Sequence, residues 1–149
     1  MPTSHLLETE DEIRGLLSTI HRVAVLGIKP ERDADKPAHY VPKALIGMGL
    51  DVIPVPVYDF GVSEILGRPI VRTLRELAGP VDLVDVFRRP RDLAQHLPDL
   101  LALKPKAVWL QLGIEDDAFA GQLAAAGIDV VQNRCLMVEY RRWLAGHPR

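Results

Sequence analysis

Residues 23–30 read VAVLGIKP, in which four apolar residues end at a glycine. A continuous apolar run predicts a strand that is buried on both faces, and the glycine predicts a turn at its carboxyl end. In the dinucleotide-binding fingerprint G-x-G-x-x-G, further glycines would replace Lys29 and Arg32. The stretch therefore predicts a phosphate-type loop whose chemistry differs from that of the tight dinucleotide turn.

Short apolar runs rich in β-branched residues alternate with helical patterns along the whole chain. The predicted strands cover residues 22–27, 51–55, 82–87, 106–112 and 128–132. The predicted helices cover residues 8–20, 38–48, 91–103, 116–126 and 135–145. This alternation predicts a doubly wound α/β fold, in which about five parallel strands carry helices on both faces. We expect a single domain over residues 1–149, with an N-terminal helical segment, residues 1–21, packed on it.

Two places depart from the regular pattern. Pro54 lies inside the second apolar run, and a proline has no N–H to donate to a neighbouring strand, so this strand is expected at an edge of the sheet. Residues 61–80 are the least regular segment, for which we expect a loop with an extended piece at 69–71 and a helical turn at 74–78.

Composition excludes several classes of partner. The chain has 149 residues and a net charge of −2, which gives no electrostatic footprint for nucleic acid or an anionic membrane. No apolar run approaches the roughly 20 residues that span a bilayer, and the first residues lack the pattern of a signal peptide. A single cysteine suits a reducing compartment, so we expect a cytoplasmic protein.

Ligands of doubly wound sheets bind outside the carboxyl ends of the strands, which directs attention to residues 27–38, 55–60, 87–91 and 111–116. Lys29, Arg32 and Lys36 in the first loop suit phosphate groups, since the loop leads into a predicted helix start. The alternative is a solvated loop whose bases are cancelled by its own acids, which are Glu31, Asp33 and Asp35.

The other loops offer further polar groups. Arginines at 88, 89 and 91 follow the third strand, where they could clamp an anion or form a surface cluster with nearby acids. Gln111 ends the fourth strand and could donate a hydrogen bond to a ligand, and Gly113 could allow a backbone to approach closely. Trp109 is expected in the core.

Catalytic and metal-binding patterns are missing from the sequence. There is no G-x-S-x-G elbow, no P-loop, and no H-x-x-x-H or C-x-x-C spacing. We therefore expect no catalytic residue, no metal site and no enzymatic activity. Cys135 is expected at the start of the last helix as a small buried hydrophobic residue, although a helix start can also activate a thiol.

The order of the motifs resembles the small CoA-binding proteins that are similar to the N-terminal domain of the succinyl-CoA synthetase α subunit. The resemblance covers residues 8–144 and rests on motifs that are individually common but together specific: VAVLG, DKPAHYVPKAL, DVIPV, ILG, VDLVDVFRRP, VWLQLGI and NRCLMVEY. It implies a Rossmann-like fold with coenzyme A, or an acyl-CoA, across the carboxyl edge of the sheet. It implies ligand contacts by Gly27, Ile28, Lys29, Arg32, Lys36, Ala38, His39, Val55, Pro56, Val57, Tyr58, Phe87, Arg88, Gln111 and Leu112.

Two departures from the family pattern affect this expectation. Family members often have an asparagine in P-V-N-P after the second strand, where this chain reads Pro54-Val55-Pro56-Val57 and so loses a hydrogen-bonding side chain. Asn133 stands where an aspartate is common, which changes a charge beside Arg134. No part of the chain resembles the synthetase's second domain with its phosphorylated histidine, so we do not expect ligase activity.

The sequence thus predicts non-catalytic binding of CoA or an acyl-CoA by a carrier, sensor or adaptor whose protein partner is unknown. One alternative is an NAD(P)-binding oxidoreductase module, which the missing glycines and ribose-binding acid disfavour. Another is a partner-binding domain with a vestigial nucleotide site, for which Pro56 and Val57 are the best argument. A further hypothesis is that Cys135 exchanges with oxidised CoA to form a mixed disulfide, which mass spectrometry would detect as an adduct.

Overall fold

The computed structural model describes residues 5–147, and residues 1–4, 148 and 149 of the expected domain lie outside the described part. The strands in chain order are β1 (Arg22–Leu26), β2 (Asp51–Val55), β3 (Glu64–Ile65), β4 (Arg68–Pro69), β5 (Leu83–Val86), β6 (Ala107–Leu110) and β7 (Asp129–Val131). The α-helices are α1 (Glu10–Leu17), α2 (Pro37–Gly47), α3 (Leu97–Leu103), α4 (Asp117–Ala125) and α5 (Leu136–Gly146). Five strands form one parallel sheet in the order β2-β1-β5-β6-β7, which confirms the predicted fold class.

Side chains of the central strands alternate between two apolar layers. Val23 and Val25 of β1 face the layer that contains residues of α1, α2 and α5, whereas Ala24 and Leu26 face the layer that contains residues of α3 and α4. Trp109 is fully buried in the first layer, as expected. Because both faces of the sheet are covered in this way, its strands are almost continuously apolar.

Strand β2 lies at one edge of the sheet, as Pro54 predicted. The Pro54 carbonyl accepts a hydrogen bond from the Val71 N–H at 2.8 Å, so the segment after β4 covers this edge. The irregular segment contains a two-residue antiparallel pair, β3 with β4, and a 3₁₀ turn at Leu74–Glu76. The extended piece expected at 69–71 is therefore the shorter strand β4, which covers Arg68–Pro69 and forms a hairpin with β3.

The helix predicted over 91–103 is divided. Two 3₁₀ turns, Pro90–Asp92 and Ala94–His96, precede α3, which starts only at Leu97. Pro98 explains the break, because its ring would clash with the carbonyl four residues earlier in a continuous α-helix. This break places His96 beside the end of β5 rather than on a helix surface.

Asp85 is a fully buried carboxyl group on β5, the third strand across the sheet. Its strand neighbours in register are Val25 and Trp109, and neither carboxyl oxygen has a hydrogen-bond partner among residues 5–147. Loss of water around the carboxyl group raises the pKa of Asp85 well above its usual range. The group is consequently a protonated, neutral side chain in the core at moderate pH.

No helix within residues 5–147 is long and apolar enough to cross a membrane.

Candidate functional site

Gly27 forms the turn at the carboxyl end of β1. Its φ is +89°, its N–H donates to the Val55 carbonyl at 2.9 Å, and a Cβ at this position would overlap the carbonyl oxygen of Phe87. The absence of a side chain therefore lets the loops after β1 and β5 come into contact. This contact forms the floor of a groove at the carboxyl edge of the sheet.

The loop after β1 is closed by hydrogen bonds between its two ends. The Lys29 N–H donates to the Ala38 carbonyl at 3.1 Å, and the Nδ1–H of the His39 ring donates to the Lys29 carbonyl at 2.9 Å. His39 is buried, so its ring supports the loop from inside the protein. The expected ligand contact by His39 stays a prediction, and Nδ1 of its ring is occupied by this hydrogen bond.

The first turn of α2 offers fewer amide donors than its sequence suggested. Pro37 has no N–H, and the amides of His39 and Tyr40 both donate to the Lys36 carbonyl. Among these first-turn residues, only the amide of Ala38 is left for a ligand. The positive charge at this end of the groove consequently comes mainly from lysine side chains.

The groove has a volume of about 470 Å³. It is lined by Gly27, Lys29, Lys36, Pro37, Ala38, Tyr40, Val41, Phe87, Arg88, Arg89, Pro90, Gln111, Leu112, Gly113, Ile114 and Cys135. Four of these residues are basic, namely Lys29, Lys36, Arg88 and Arg89, and no described lining residue is acidic. The acids of the first loop lie outside the lining, and one of them, Asp35, has its Oδ2 3.8 Å from the Nζ of Lys36. We name this cavity the basic groove.

Arg88 is held at the basic groove by two contacts. Its Nε–H donates to Nε2 of His96 at 3.1 Å, and its guanidinium carbon lies 5.7 Å from the centroid of the Tyr58 ring. Both Arg88 and His96 are half-buried. Burial, and then the positive charge of Arg88, lower the pKa of His96 below its usual range.

Aromatic rings extend this arrangement away from the groove. Tyr58 meets Phe60 edge to face with centroids 6.2 Å apart, and Arg32 lies over the Phe60 ring at 5.2 Å. Arg32 and Tyr58 are thus connected to the groove through Arg88 instead of lining it. Tyr58 and Phe60 belong to the loop that follows β2, so these contacts join that loop to Arg32 and Arg88.

Gln111 has a partner inside the protein. Its Oε1 accepts a hydrogen bond from the Leu136 N–H at 3.0 Å, which satisfies an amide at the start of α5. The side chain is 4% exposed, whereas the adjacent Leu112 is 69% exposed at the groove wall. Gln111 therefore fixes the helix that begins after Cys135, and Leu112 presents apolar surface to the groove.

Eight of the predicted ligand residues are brought together in the basic groove: Gly27, Lys29, Lys36, Ala38, Phe87, Arg88, Gln111 and Leu112. Seven are placed outside its lining: Ile28, Arg32, His39, Val55, Pro56, Val57 and Tyr58. Ile28, Val55 and Pro56 are buried, because the residues next to the glycine turn pack into the core. Val57 packs against the layer that contains α3 and α4.

Sequence reasoning did not single out Tyr40, Val41 and Ile114, which also line the groove. Tyr40 and Val41 lie three and four residues after Pro37 on α2, a spacing that places them on one helical face. This spacing relative to Pro37 is the sequence feature from which Tyr40 and Val41 could have been predicted. Cys135, expected to be buried, is half-buried at the groove and precedes α5 as its N-cap residue.

Comparison with known proteins identifies the family of the chain. The sequence model of the CoA binding domain family matches residues 21–141. The chain belongs to this family. It is 32% identical over 130 residues to YneT of Bacillus subtilis, a protein described as uncharacterized, with 87% of this chain and 92% of YneT covered.

Solved structures extend the likeness to the fold. A Thermus thermophilus protein, cell-free ID.343, is 45% identical with a TM-score of 0.84, covering 91% of this chain and 99% of that chain. The dinucleotide-forming acetyl-coenzyme A synthetase 1 of Ca. Korarchaeum cryptofilum superposes with a TM-score of 0.62 at 12% identity, covering 78% of this chain and 27% of the synthetase. The latter likeness is one of fold alone.

This CoA-binding domain has a second and larger groove at the same edge of the sheet. Its volume is about 740 Å³, and it shares Leu112 and Cys135 with the basic groove. Its charged lining consists of Glu8, Glu115, Asp117, Arg134 and Glu139. With four acids and one base it is the reverse of the basic groove in charge, and we name it the acidic groove.

Asn133 lies at the boundary between the two grooves. Its φ is +57°, its Oδ1 accepts from the Gly113 N–H at 2.7 Å, and its N–H donates to the Ile114 carbonyl at 3.1 Å. Asparagine tolerates the left-handed conformation better than most residues. Asn133 thereby connects the loops after β6 and β7, and it does so without adding a charge.

Proposed function

We propose that the protein binds coenzyme A or an acyl-CoA in the basic groove and acts as a carrier, sensor or adaptor without catalysis of its own. The observation that carries the proposal is the charge of the groove. Four basic side chains and no described acid line a cavity at the carboxyl edge of the sheet, in a chain of the CoA-binding family. The acyl group and the absence of catalysis are parts of the proposal.

The chemistry of the ligand matches this lining. Coenzyme A carries a pyrophosphate and a 3′-phosphate, which need several cationic partners in a site that excludes carboxylates. Lys29 and Lys36 would bind phosphates as point charges, whereas Arg88 and Arg89 can each present two parallel N–H groups to one phosphate. Arg89 is at present paired with Asp92 through its Nε at 2.9 Å, so a phosphate would compete with that acid.

The uncharged part of the ligand also has suitable partners. Leu112 and Tyr40 are large side chains that stay exposed at the groove, with 69% and 42% of their surface accessible. Covering such surface by the pantetheine arm would remove it from water. Tyr58, whose ring contacts Arg88 beside the groove, would flank the adenosine.

The lining supports a binding role rather than a catalytic one. Among its described residues there is no histidine, aspartate or glutamate that could act as a general acid or base near neutral pH. Within residues 5–147 no group of three or more metal-ligating side chains comes together. The absence of activity and the cytoplasmic location stay predictions.

Calorimetric titration tests the proposal with four ligands: CoA, dephospho-CoA, NAD and ATP. We expect CoA to bind most tightly and dephospho-CoA to bind more weakly, because dephospho-CoA lacks the 3′-phosphate that the cationic side chains would bind. Lys36→Gln should weaken CoA binding about threefold to tenfold. Lys43→Gln on the same helix is the matched control, since Lys43 is exposed and lies outside the groove.

The outcomes separate the alternatives. Tighter binding of NAD than of CoA would favour the oxidoreductase module. No heat with any ligand, confirmed by unchanged melting temperatures, would favour a partner-binding domain with a vestigial site. Equal effects of the Lys36 and Lys43 substitutions would place the ligand outside the basic groove.

A further inference from the structure

His96 is the side chain behind Arg88, and it lies outside the lining of the basic groove. It occupies the last position of the 3₁₀ turn Ala94–His96 and precedes α3. Its ring reaches the Nε of Arg88, which leaves the two terminal nitrogens of the guanidinium for other partners. The imidazole can therefore influence a ligand through the position of Arg88.

The hydrogen bond fixes the protonation state of the ring. An arginine side chain keeps its protons at any physiological pH, so the Arg88 Nε–H is the donor and Nε2 of His96 must carry a lone pair. The imidazole is then neutral and holds its single proton on Nδ1. A protonated His96 would face Arg88 with two donors across 3.1 Å, and the contact could not persist.

Charged groups on the neighbouring segments determine how easily His96 gains a proton. Arg88 opposes its protonation, whereas Asp92 of the Pro90–Asp92 turn and Asp99 of α3 favour it. Both acids have basic partners, since Asp92 pairs with Arg89 at 2.9 Å and Asp99 pairs with Arg75 at 2.6 Å. Burial and Arg88 outweigh the two acids, so the ring is neutral near pH 7 and gains its proton on acidification.

We propose that His96 is a positioning residue that makes ligand binding sensitive to protons: neutral His96 holds Arg88 at the groove, and protonated His96 releases it. The inference rests on the proposed function of the basic groove. Arg88 would then be left with its contact to the Tyr58 ring alone, since His96 and Tyr58 are the two contacts that hold it at the groove. Affinity for CoA should therefore fall as the pH falls through the pKa of His96.

The experiment is a calorimetric titration of CoA at intervals between pH 8 and pH 5 with wild type, His96→Gln, His96→Ala and His21→Gln. The phosphates of CoA titrate in the same range, but they do so equally for every variant. The glutamine Oε1 can accept from the Arg88 Nε–H and does not titrate, so His96→Gln should bind more tightly than His96→Ala at pH 8. His21 is exposed at the opposite end of β1, and its substitution controls for loss of an imidazole.

On acidification, wild type and His21→Gln should each lose about fivefold more affinity for CoA than His96→Gln loses. NMR titration of the His96 ring in wild type is the second measurement. By reciprocity, CoA should lower the pKa of His96 in the complex. This measurement also decides the matter if a substitution prevents folding.

Some results would overturn the inference. Identical pH profiles in wild type and His96→Gln, or a raised pKa of His96 in the CoA complex, would show that His96 does not act through Arg88, while leaving the proposed function intact. Failure of wild type to bind CoA at pH 8 would overturn the proposed function and the inference together.

Discussion

The two grooves at the carboxyl edge differ more in charge than in construction. Both are formed by loops that follow parallel strands, and both include Leu112 and Cys135. The acidic groove is larger, at about 740 Å³ against about 470 Å³. The basic groove is nevertheless the better site for a phosphate-bearing ligand, because the charge of the lining residues, four bases and no described acid, determines anion binding, and cavity volume does not.

Topology explains why the basic groove is where it is. The chain passes from β1 outward to β2 and then returns to the other side of β1 at β5. The loops after β1 and β5 consequently diverge from a switch point in strand order, where ligands of doubly wound sheets bind. The acidic groove lies beyond this point, next to β7 and the N-terminal segment around Leu6, which forms a parallel bridge with Val130.

The largest effect is expected from Gly27→Ala, which would remove the floor of the basic groove. The new Cβ would overlap the Phe87 carbonyl and strain a positive φ, so the free energy of unfolding should fall by about 3 kcal/mol. CoA binding should be lost as the loops separate. Chemical denaturation and calorimetry measure the two effects.

Gly113→Ala is the matched control, because Gly113 has the same φ of +89° but a Cβ at this position would meet no other atom within 4 Å. The substitution should cost only the backbone strain, about 1 kcal/mol. Equal destabilisation by the two substitutions would contradict the role assigned to the contact between the loops.

Neutralising one charge in each groove tests the contrast directly. Arg88→Gln should weaken CoA binding about tenfold, since a charge-assisted hydrogen bond to phosphate is lost. Glu115→Gln in the acidic groove should change the affinity less than about twofold, because its exposed carboxylate is screened from the ligand by water. A larger effect of Glu115→Gln would place the ligand across both grooves.

Asp85→Asn tests the buried carboxyl group separately from the charges of the two grooves. Unfolding releases the proton that buried Asp85 keeps in the folded state, so this group lowers stability progressively as pH rises above about 4, up to its raised pKa. The asparagine variant should be more stable than wild type by about 1–3 kcal/mol at pH 8, and the gain should vanish toward pH 4. Its affinity for CoA should be unchanged.

Asp82→Asn gives a control of opposite sign. Partial burial of Asp82 is outweighed by hydrogen bonds from the Arg22 and His21 amides and by Lys106, which together lower the pKa of this carboxyl group. Asp82 therefore stabilises the fold above the usual aspartate range, and the stabilisation is lost on acidification. Thermal melts from pH 4 to pH 8 should show the two variants diverging in opposite directions as the pH rises.

The smallest effect is expected at the boundary between the grooves. Asn133→Asp keeps an acceptor for the Gly113 N–H and a residue that tolerates positive φ, so stability should change by less than about 0.5 kcal/mol. The added negative charge should weaken CoA binding about twofold at low salt. Unchanged affinity at low ionic strength would show that the ligand stays far from this boundary.

Much of the fold could be predicted, whereas the start of one helix and the directions of the side chains in the site could not. Apolar runs located the five strands of the sheet, since burial on both faces leaves a continuous signal, and Pro54 marked the edge strand. The helix predicted over 91–103 was wrong in its first half, because Pro98 interrupts the turn that precedes it. The loops that form the basic groove were identified from sheet topology, but the direction of each side chain was not.

The sequence by itself determined the parallel sheet, the glycine turn at Gly27 and the presence of bases in the loops, because each follows from local pattern and residue chemistry. Only the tertiary structure decided that Glu31 bonds the Leu66 amide outside the groove, that Gln111 supports α5 and that His96 lies behind Arg88. Those pairings join residues on different loops, and the packing of the sheet and its helices determines which loops meet.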